Sequence, residues 1–297
     1  MRRRPLRTLV PALAVLAAAA LSGCGENAPG GSSGASVTTA KDGRYGDCEV
    51  SGKKGGVKLK TVSSGTLTVA GDLPSRGWWN GETVDDIKSG FEYCLAANIA
   101  HRAGLDKLSI RNVSFDAMVA GKGNGFDLAM AEISITDERK KAVDFSSPYF
   151  ASNIGVLARP GKVTAENIRE LRLGVKQATS GAQFVRDTVK PEKEPQVFPG
   201  DAEMLAALKG GRIDAVLTDT AIVLGQAKGA KGELAVVGQY ETGESYGALL
   251  PKDSANTEVV NGVLAELESD GTLERLSEEY LGDALGGDPA AVPVWSL

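Results

Sequence analysis

The residues of this chain best suited to chemistry lie in Ser134-Ile-Thr-Asp-Glu-Arg139-Lys-Lys-Ala-Val-Asp144-Phe-Ser-Ser-Pro148-Tyr-Phe150. An apolar run, Phe126 to Ala131, leads into a hydroxyl-rich turn, and a helix-forming segment carrying Arg139 follows. Ser134, Thr136 and a guanidinium thus collect at the C-terminal end of a buried strand, where open α/β sheets bind ligands. The Arg fork matches a carboxylate taken bidentately, so the segment reads as a carboxylate anchor. Further along, Val175-Lys-Gln-Ala-Thr-Ser180 leads into a helix, and backbone N–H groups at a helix start receive anions. No catalytic constellation joins these residues. The only histidine, His101, falls in a helical segment and is read as packing. Metal-ligand spacing, a phosphate loop and a nucleophile elbow are absent from the sequence, so neither metal nor cofactor is expected. A net charge of -5 and a pI near 5.2 exclude a nucleic-acid partner.

The elements that must position these residues alternate. Leu67–Ala70, Leu108–Val113 and Phe126–Ala131 have strand character, and they flank helices predicted at Phe91–Ala103 and Phe115–Gly121. After a strand at Asn153–Ala158 the alternation starts again, with strands at Leu173–Val175, Gln196–Phe198, Ile213–Leu217 and Leu234–Val237 and helices near Gly181–Val189, Ala202–Leu208 and Thr220–Ala227. A strand at Tyr246–Leu250 and amphipathic helices at Thr257–Leu267 and Leu273–Leu281 close the chain. Two rounds of alternation imply an α/β fold with mainly parallel sheets and room for two small domains.

The start of the chain carries an address. Arg2, Arg3, Arg4 and Arg7 precede an apolar stretch from Leu9 to Leu21 that is too short to span a bilayer, as in a signal peptide. The arginine run leaves general or twin-arginine export open. Leu21-Ser-Gly-Cys24 resembles a bacterial lipobox, which implies acylation at Cys24 and a membrane tether with residues 1–23 removed. Residues 24–64, rich in Gly, Ser, Thr and Lys, are expected to form a flexible linker. Cys48 and Cys94 are the two thiols left in an extracytoplasmic chain and are predicted to pair. By loop-closure entropy such a bridge contributes roughly 4 kcal/mol.

The stretch from Ser134 to Phe150 closely resembles the S-I-T-x-E-R-x-x-x-x-D-F-S-x-P-Y-Y signature of the family 3 extracellular solute-binding proteins, the receptors of polar amino-acid ABC transporters. The resemblance extends over nearly all of Thr66–Gly282. It implies a periplasmic-binding-protein type II fold of two α/β lobes joined by a two-strand hinge. Lobe 1 would comprise residues 65–152 and 248–285 and lobe 2 residues 153–247, with a C-terminal extension at 286–297. The resemblance assigns Arg139 and Ser134 to a ligand α-carboxylate and Phe115 to stacking on the ligand. From the second lobe, Thr179 and Ser180 would assist the carboxylate, although Ala178 stands where the family commonly has Gly. Gly210-Gly-Arg-Ile-Asp-Ala-Val-Leu-Thr-Asp219 resembles the family's G-x-x-D-A-x-x-x-D motif, which implies that Asp219 takes the α-ammonium and Asp214 pairs locally.

Specificity falls to Asp72, Arg76, Trp78, Trp79, Glu132 and Lys176, where the chain departs most from the pattern. The paired tryptophans of a Gly-rich loop suggest an exposed stacking wall, and either could line the cleft. Asp72 and Glu132 would suit a cationic side chain. Lys176 sits where glutamine-binding relatives place a lysine, and with Arg76 it favours side-chain oxygen: glutamate, glutamine, aspartate or asparagine. The implied partners are a free amino acid and a membrane permease, with the binding protein as a tethered monomer. A sensor kinase in place of the permease, or an enzyme such as a dehydratase on the same fold, are the alternatives.

Overall fold

The computed structural model describes residues 35–297. The expected signal segment 1–23, the acylated Cys24 and the first residues of the expected linker lie outside the described residues. In chain order the elements are β1 (Ala35–Thr39), β2 (Arg44–Tyr45), β3 (Cys48–Glu49), β4 (Thr66–Gly71), α1 (Phe91–Arg102), β5 (Lys107–Asn112), α2 (Phe115–Val119), β6 (Leu128–Ala129) and β7 (Val143–Ala158). They continue with β8 (Leu173–Lys176), α3 (Ser180–Phe184), β9 (Gln196–Phe198), α4 (Asp201–Lys209), β10 (Ala215–Asp219), α5 (Thr220–Gly229), β11 (Ala235–Pro251), α6 (Thr257–Ser269) and α7 (Thr272–Ser277).

The main sheet runs β1-β5-β4-β6-β11-β7-β10-β8-β9. Pairings β4–β5, β4–β6, β8–β10 and β8–β9 are parallel, while the two long strands β7 and β11 pair antiparallel. β4 is buried on both faces, as expected of a central parallel strand covered by helices. α1 is buried almost all round and carries the core of the first half of the sheet. Residues before β7 and after β11 build one lobe around β4, β5 and β6, and those between build the other around β8, β9 and β10. β7 and β11 thread both lobes, and their register slips between Tyr240 and Glu244, opposite Ile154 and Ser152. This is the α/β architecture of type II binding proteins, with an irregularity in the pairing of the two connecting strands between the lobes.

The sequence-based boundaries needed three corrections. Strands expected separately at Leu234–Val237 and Tyr246–Leu250 are one strand, β11, because β7 pairs with it along most of its length and carries it through the polar hinge residues. The helix expected to carry Arg139 is a single 3-10 turn, Arg139–Lys141. The expected linker is folded from Ala35 onward. β1 adds an antiparallel edge to β5, with Ala35 opposite Arg111 and Thr39 opposite Lys107. Tyr45 is buried and donates to Leu105 O. The segment has little apolar surface of its own, but buried polar side chains of the body take its backbone N–H groups. Ser51 N donates to Asn98 Oδ1 (2.9 Å), Lys60 N to Asn256 Oδ1 (2.9 Å) and Val62 N to Asp127 Oδ1 (2.7 Å). Cys48 and Cys94 form a disulfide, with Cα atoms 5.4 Å apart, that ties this segment to α1.

The C-terminal extension is also ordered. Trp295 N donates to Gln239 O (2.8 Å) and Gln239 N to Pro293 O (2.9 Å), while Gln239 Nε2 donates to Pro289 O and Val292 O. Gly238 permits this approach, since a Cβ there would lie 2.1 Å from Trp295 Cε2. The chain therefore crosses from the α7 side of lobe 1 onto β11 in lobe 2, in addition to the two long strands. Among the described residues no helix is long and apolar enough to cross a membrane.

Candidate functional site

A cavity of about 440 Å³ lies between the lobes. It is lined by Asp72, Trp78, Phe115, Glu132, Ser134, Arg139, Lys176, Thr179, Ser180 and Asp219, which are all the predicted ligand-binding positions, and by Arg76. Each comes from the end of a strand or the loop that follows it. Asp72 follows β4, Ser134 and Arg139 follow β6, Lys176 ends β8, and Asp219 ends β10. Strand ends converge because the sheet is parallel on both sides of the hinge.

At one end of the cavity Arg139 is buried and fixed by both lobes. Nη1 donates to Ser134 O (2.6 Å) and Nη2 to Ala178 O (2.9 Å). Its guanidinium lies 5.2 Å from the centroid of the Phe115 ring. Burial lowers its pKa, and the Asp219 and Glu244 carboxylates work in the opposite direction. The remaining N–H groups of the fork are available to a carboxylate. Ser134 Oγ and Ser180 Oγ meet at 3.3 Å across the cleft. Thr179 is less free than its sequence position suggests. Its hydroxyl caps α3 by accepting from Ala182 N (3.1 Å) and donates to Lys176 O (2.8 Å). Ala178 takes the left-handed conformation (φ 60°) that glycine would provide in its relatives, so the loop keeps its shape despite the substitution.

Asp219 supplies the opposite charge. Burial raises its pKa to about 6, and Glu244 adds to the rise, while the Tyr246 hydroxyl and Arg139 pull it down. Asp214 pairs locally, accepting from Arg172 Nε (2.9 Å) and Nη2 (2.6 Å). This end of the cavity therefore offers a cation and an anion from different lobes, a match to a zwitterion.

The other end differs from the sequence reading. Lys176 Nζ bridges Asp72 (2.6 Å) and Asp201 (2.8 Å), joining the lobes. Burial works against its charge, but Asp201 and Asp72 hold its pKa above the ordinary lysine value. With two carboxylates already on its ammonium, Lys176 no longer argues for a ligand rich in side-chain oxygen. The tryptophans are buried, not exposed. Trp78 borders the cavity and packs edge-on against Phe91, Phe150 and Tyr246, at centroid distances of 5.0–5.6 Å. Trp79 turns into the core, where its Nε1 donates to Glu92 Oε2 (2.6 Å). Their loop carries large apolar rings, and burying them outweighs the flexibility of its glycines.

Behind the cavity Glu92 is buried on α1. It accepts from Tyr149, from Trp79 and from Glu132 N (2.9 Å), and burial pushes its carboxyl up to about 7 against these donors. Glu132 is held at φ 51° and its carboxyl is pushed well above the ordinary glutamate value, first by burial and then by Glu92. Asp201 and Gln226 also line the cavity and were not singled out from sequence. Asp201 opens α4 after Pro199-Gly200, a turn-and-helix-start signal that could have marked it. Nothing local marks Gln226.

The family model of the bacterial extracellular solute-binding proteins, family 3, matches residues 82–283. The chain belongs to this family. Among the curated relatives of this solute-binding protein, the L-cystine-binding protein TcyJ of Escherichia coli (strain K12) is 32% identical over 236 residues, covering 76% of this chain and 86% of the relative. The glutamine-binding protein GlnH of Bacillus subtilis (strain 168) is 33% identical, over 68% of this chain and 74% of its own length. An ancestral arginine-binding protein bound to arginine superposes with TM-score 0.67 at 29% identity, covering 73% of this chain and 99% of that one. An ancestral amino acid-binding protein described as a precursor of cyclohexadienyl dehydratase has TM-score 0.64 at 26% identity, covering 73% of this chain and 95% of that one.

Proposed function

We propose that this protein is the extracytoplasmic binding component of an amino-acid ABC transporter, a lipoprotein tethered through Cys24 that captures a free polar amino acid and presents it to a membrane permease. The observation that carries this reading is the division of the anchors. Arg139, Ser134 and Phe115 come from one lobe and Ser180, Thr179 and Asp219 from the other, around a single cavity. An amino acid that touches both sets binds the closed arrangement better than an open one and so shifts the hinge toward closure. The contacts Arg139–Ala178, Ser134–Ser180 and Lys176–Asp72 join the two lobes across the cavity and support this reading.

The reading is of a binding protein and not an enzyme, in line with relatives that are themselves named as binding proteins. Calorimetry on Arg139→Ala tests it. Loss of the charge-assisted fork should lower amino-acid affinity about 100-fold or more, and affinity within about threefold of the parent chain would refute the site. Co-purification of a permease, as opposed to a sensor kinase, from membranes decides the partner.

A further inference from the structure

The cavity end away from Arg139 is rich in acceptors. Asp72, Asp201 and Glu132 line it, and the only buried cation there among the described residues, Lys176, already bridges the first two. Arg76 sits exposed at the mouth. Two residues that line the same cavity, Glu132 and Gln226, each carry a buried oxygen, Oε1, with no hydrogen-bond partner among the described residues. Both side chains are otherwise held in place: Glu132 Oε2 accepts from Ser75 Oγ (3.2 Å) and Gln226 Nε2 donates to Asp201 Oδ1 (3.2 Å). Each is therefore left with an Oε1 that no donor satisfies. Buried acceptors left unmatched are costly, and a ligand that supplies donors to them gains accordingly.

We propose that the amino acid received by this cleft carries a cationic, donor-rich side chain, an ammonium or guanidinium, that reaches Glu132 Oε1 and Gln226 Oε1. The proposal rests on the amino-acid-binding reading above and deepens it. A side-chain carboxylate would instead meet Asp72 and Asp201 with like charge and bring no donor to Glu132 Oε1 or Gln226 Oε1. An amide would supply donors to the two free oxygens, but its own carbonyl would enter a wall already crowded with acceptors, and it brings no positive charge to favour the ionised form of Glu132. A guanidinium or ammonium supplies both. The nearby Phe115 ring, with Lys176 Nζ 5.5 Å from its centroid and Arg139 on its other neighbouring contact, shows that this wall accommodates cations over an aromatic face.

The test is calorimetry on the purified full-length chain with arginine, lysine, glutamine and glutamate, repeated on Glu132→Gln. The expected result is that arginine or lysine binds about tenfold or more tighter than glutamine and glutamate, and that Glu132→Gln weakens the cation about tenfold or more while changing glutamine little. Tightest binding of glutamine or glutamate by the unmodified chain overturns the proposal and leaves the amino-acid-binding reading standing. An equal loss for all ligands in Glu132→Gln also overturns it, since the residue would then be structural. Binding of no amino acid overturns both readings.

Discussion

Asp219 sets the residue-scale behaviour of the site, because its pKa of about 6 lies close to working pH. With Asp219 as the proposed partner of an α-ammonium, its charged form is the one that binds, so affinity should be present above pH 6 and fall as pH drops through that value. At pH 5 only about a tenth of the group is ionised, and amino-acid affinity should be about tenfold below its value at pH 7.5. Asp219→Asn should bind weakly at both values and give a flat profile. A steep profile in that variant would assign the titration to another group. Single residues also show where local reading succeeds. Ser134, Arg139 and Asp219 are recognisable because they lie in contiguous motifs that resemble the family's, and all three line the cavity. Lys176 misleads because its chemistry depends on Asp72, which is 104 positions away, and on Asp201. No window around Lys176 contains the first of them.

At the scale of elements, the folded segment before β4 changes what the disulfide does. The Cys48–Cys94 bridge ties a chain portion with little core of its own to α1, the most buried helix of lobe 1. Closing a loop of this length in the unfolded chain should contribute about 2–4 kcal/mol. Cys48→Ser with Cys94→Ser, or reduction with a thiol, should lower the denaturation midpoint correspondingly while leaving amino-acid affinity near the parent value, since neither cysteine lines the cavity. An unchanged midpoint would mean that the backbone bonds to Asn98, Asn256 and Asp127 hold the segment alone. The alternation of strands and helices was legible because buried parallel strands are short apolar runs. The long reach of β7 and β11 was not, because their hinge portions are polar and only pairing with each other makes them strand.

At the scale of the whole molecule, the C-terminal extension adds to the two covalent crossings a non-covalent link, held by hydrogen bonds and ring packing, from lobe 1 to lobe 2. It leaves lobe 1 after α7 and lies along β11, with the Trp295 ring 6.0 Å from that of Tyr240. Trp295→Ala removes a half-buried ring and should cost about 1–2 kcal/mol of stability. If the strap also restrains opening, the variant releases its amino acid faster with little change in association rate. Stopped-flow kinetics separates the two, and an unchanged release rate with lowered stability limits the extension to a structural role.

The sequence by itself determined the family, the α/β architecture, the pairing of Cys48 with Cys94, and residues that the fold gathers around one cavity. These rest on short motifs and on periodic burial, which a linear chain displays directly. Tertiary structure alone decided that Trp78 faces the cavity while Trp79 is held by Glu92, that Lys176 is occupied by two aspartates, and that Glu132 and Gln226 present unmatched oxygens. The physical reason is that hydrogen-bond and charge matching are properties of neighbours in space. In this cleft the neighbours are distant in sequence, and some, such as Lys176 and Asp72, come from opposite lobes.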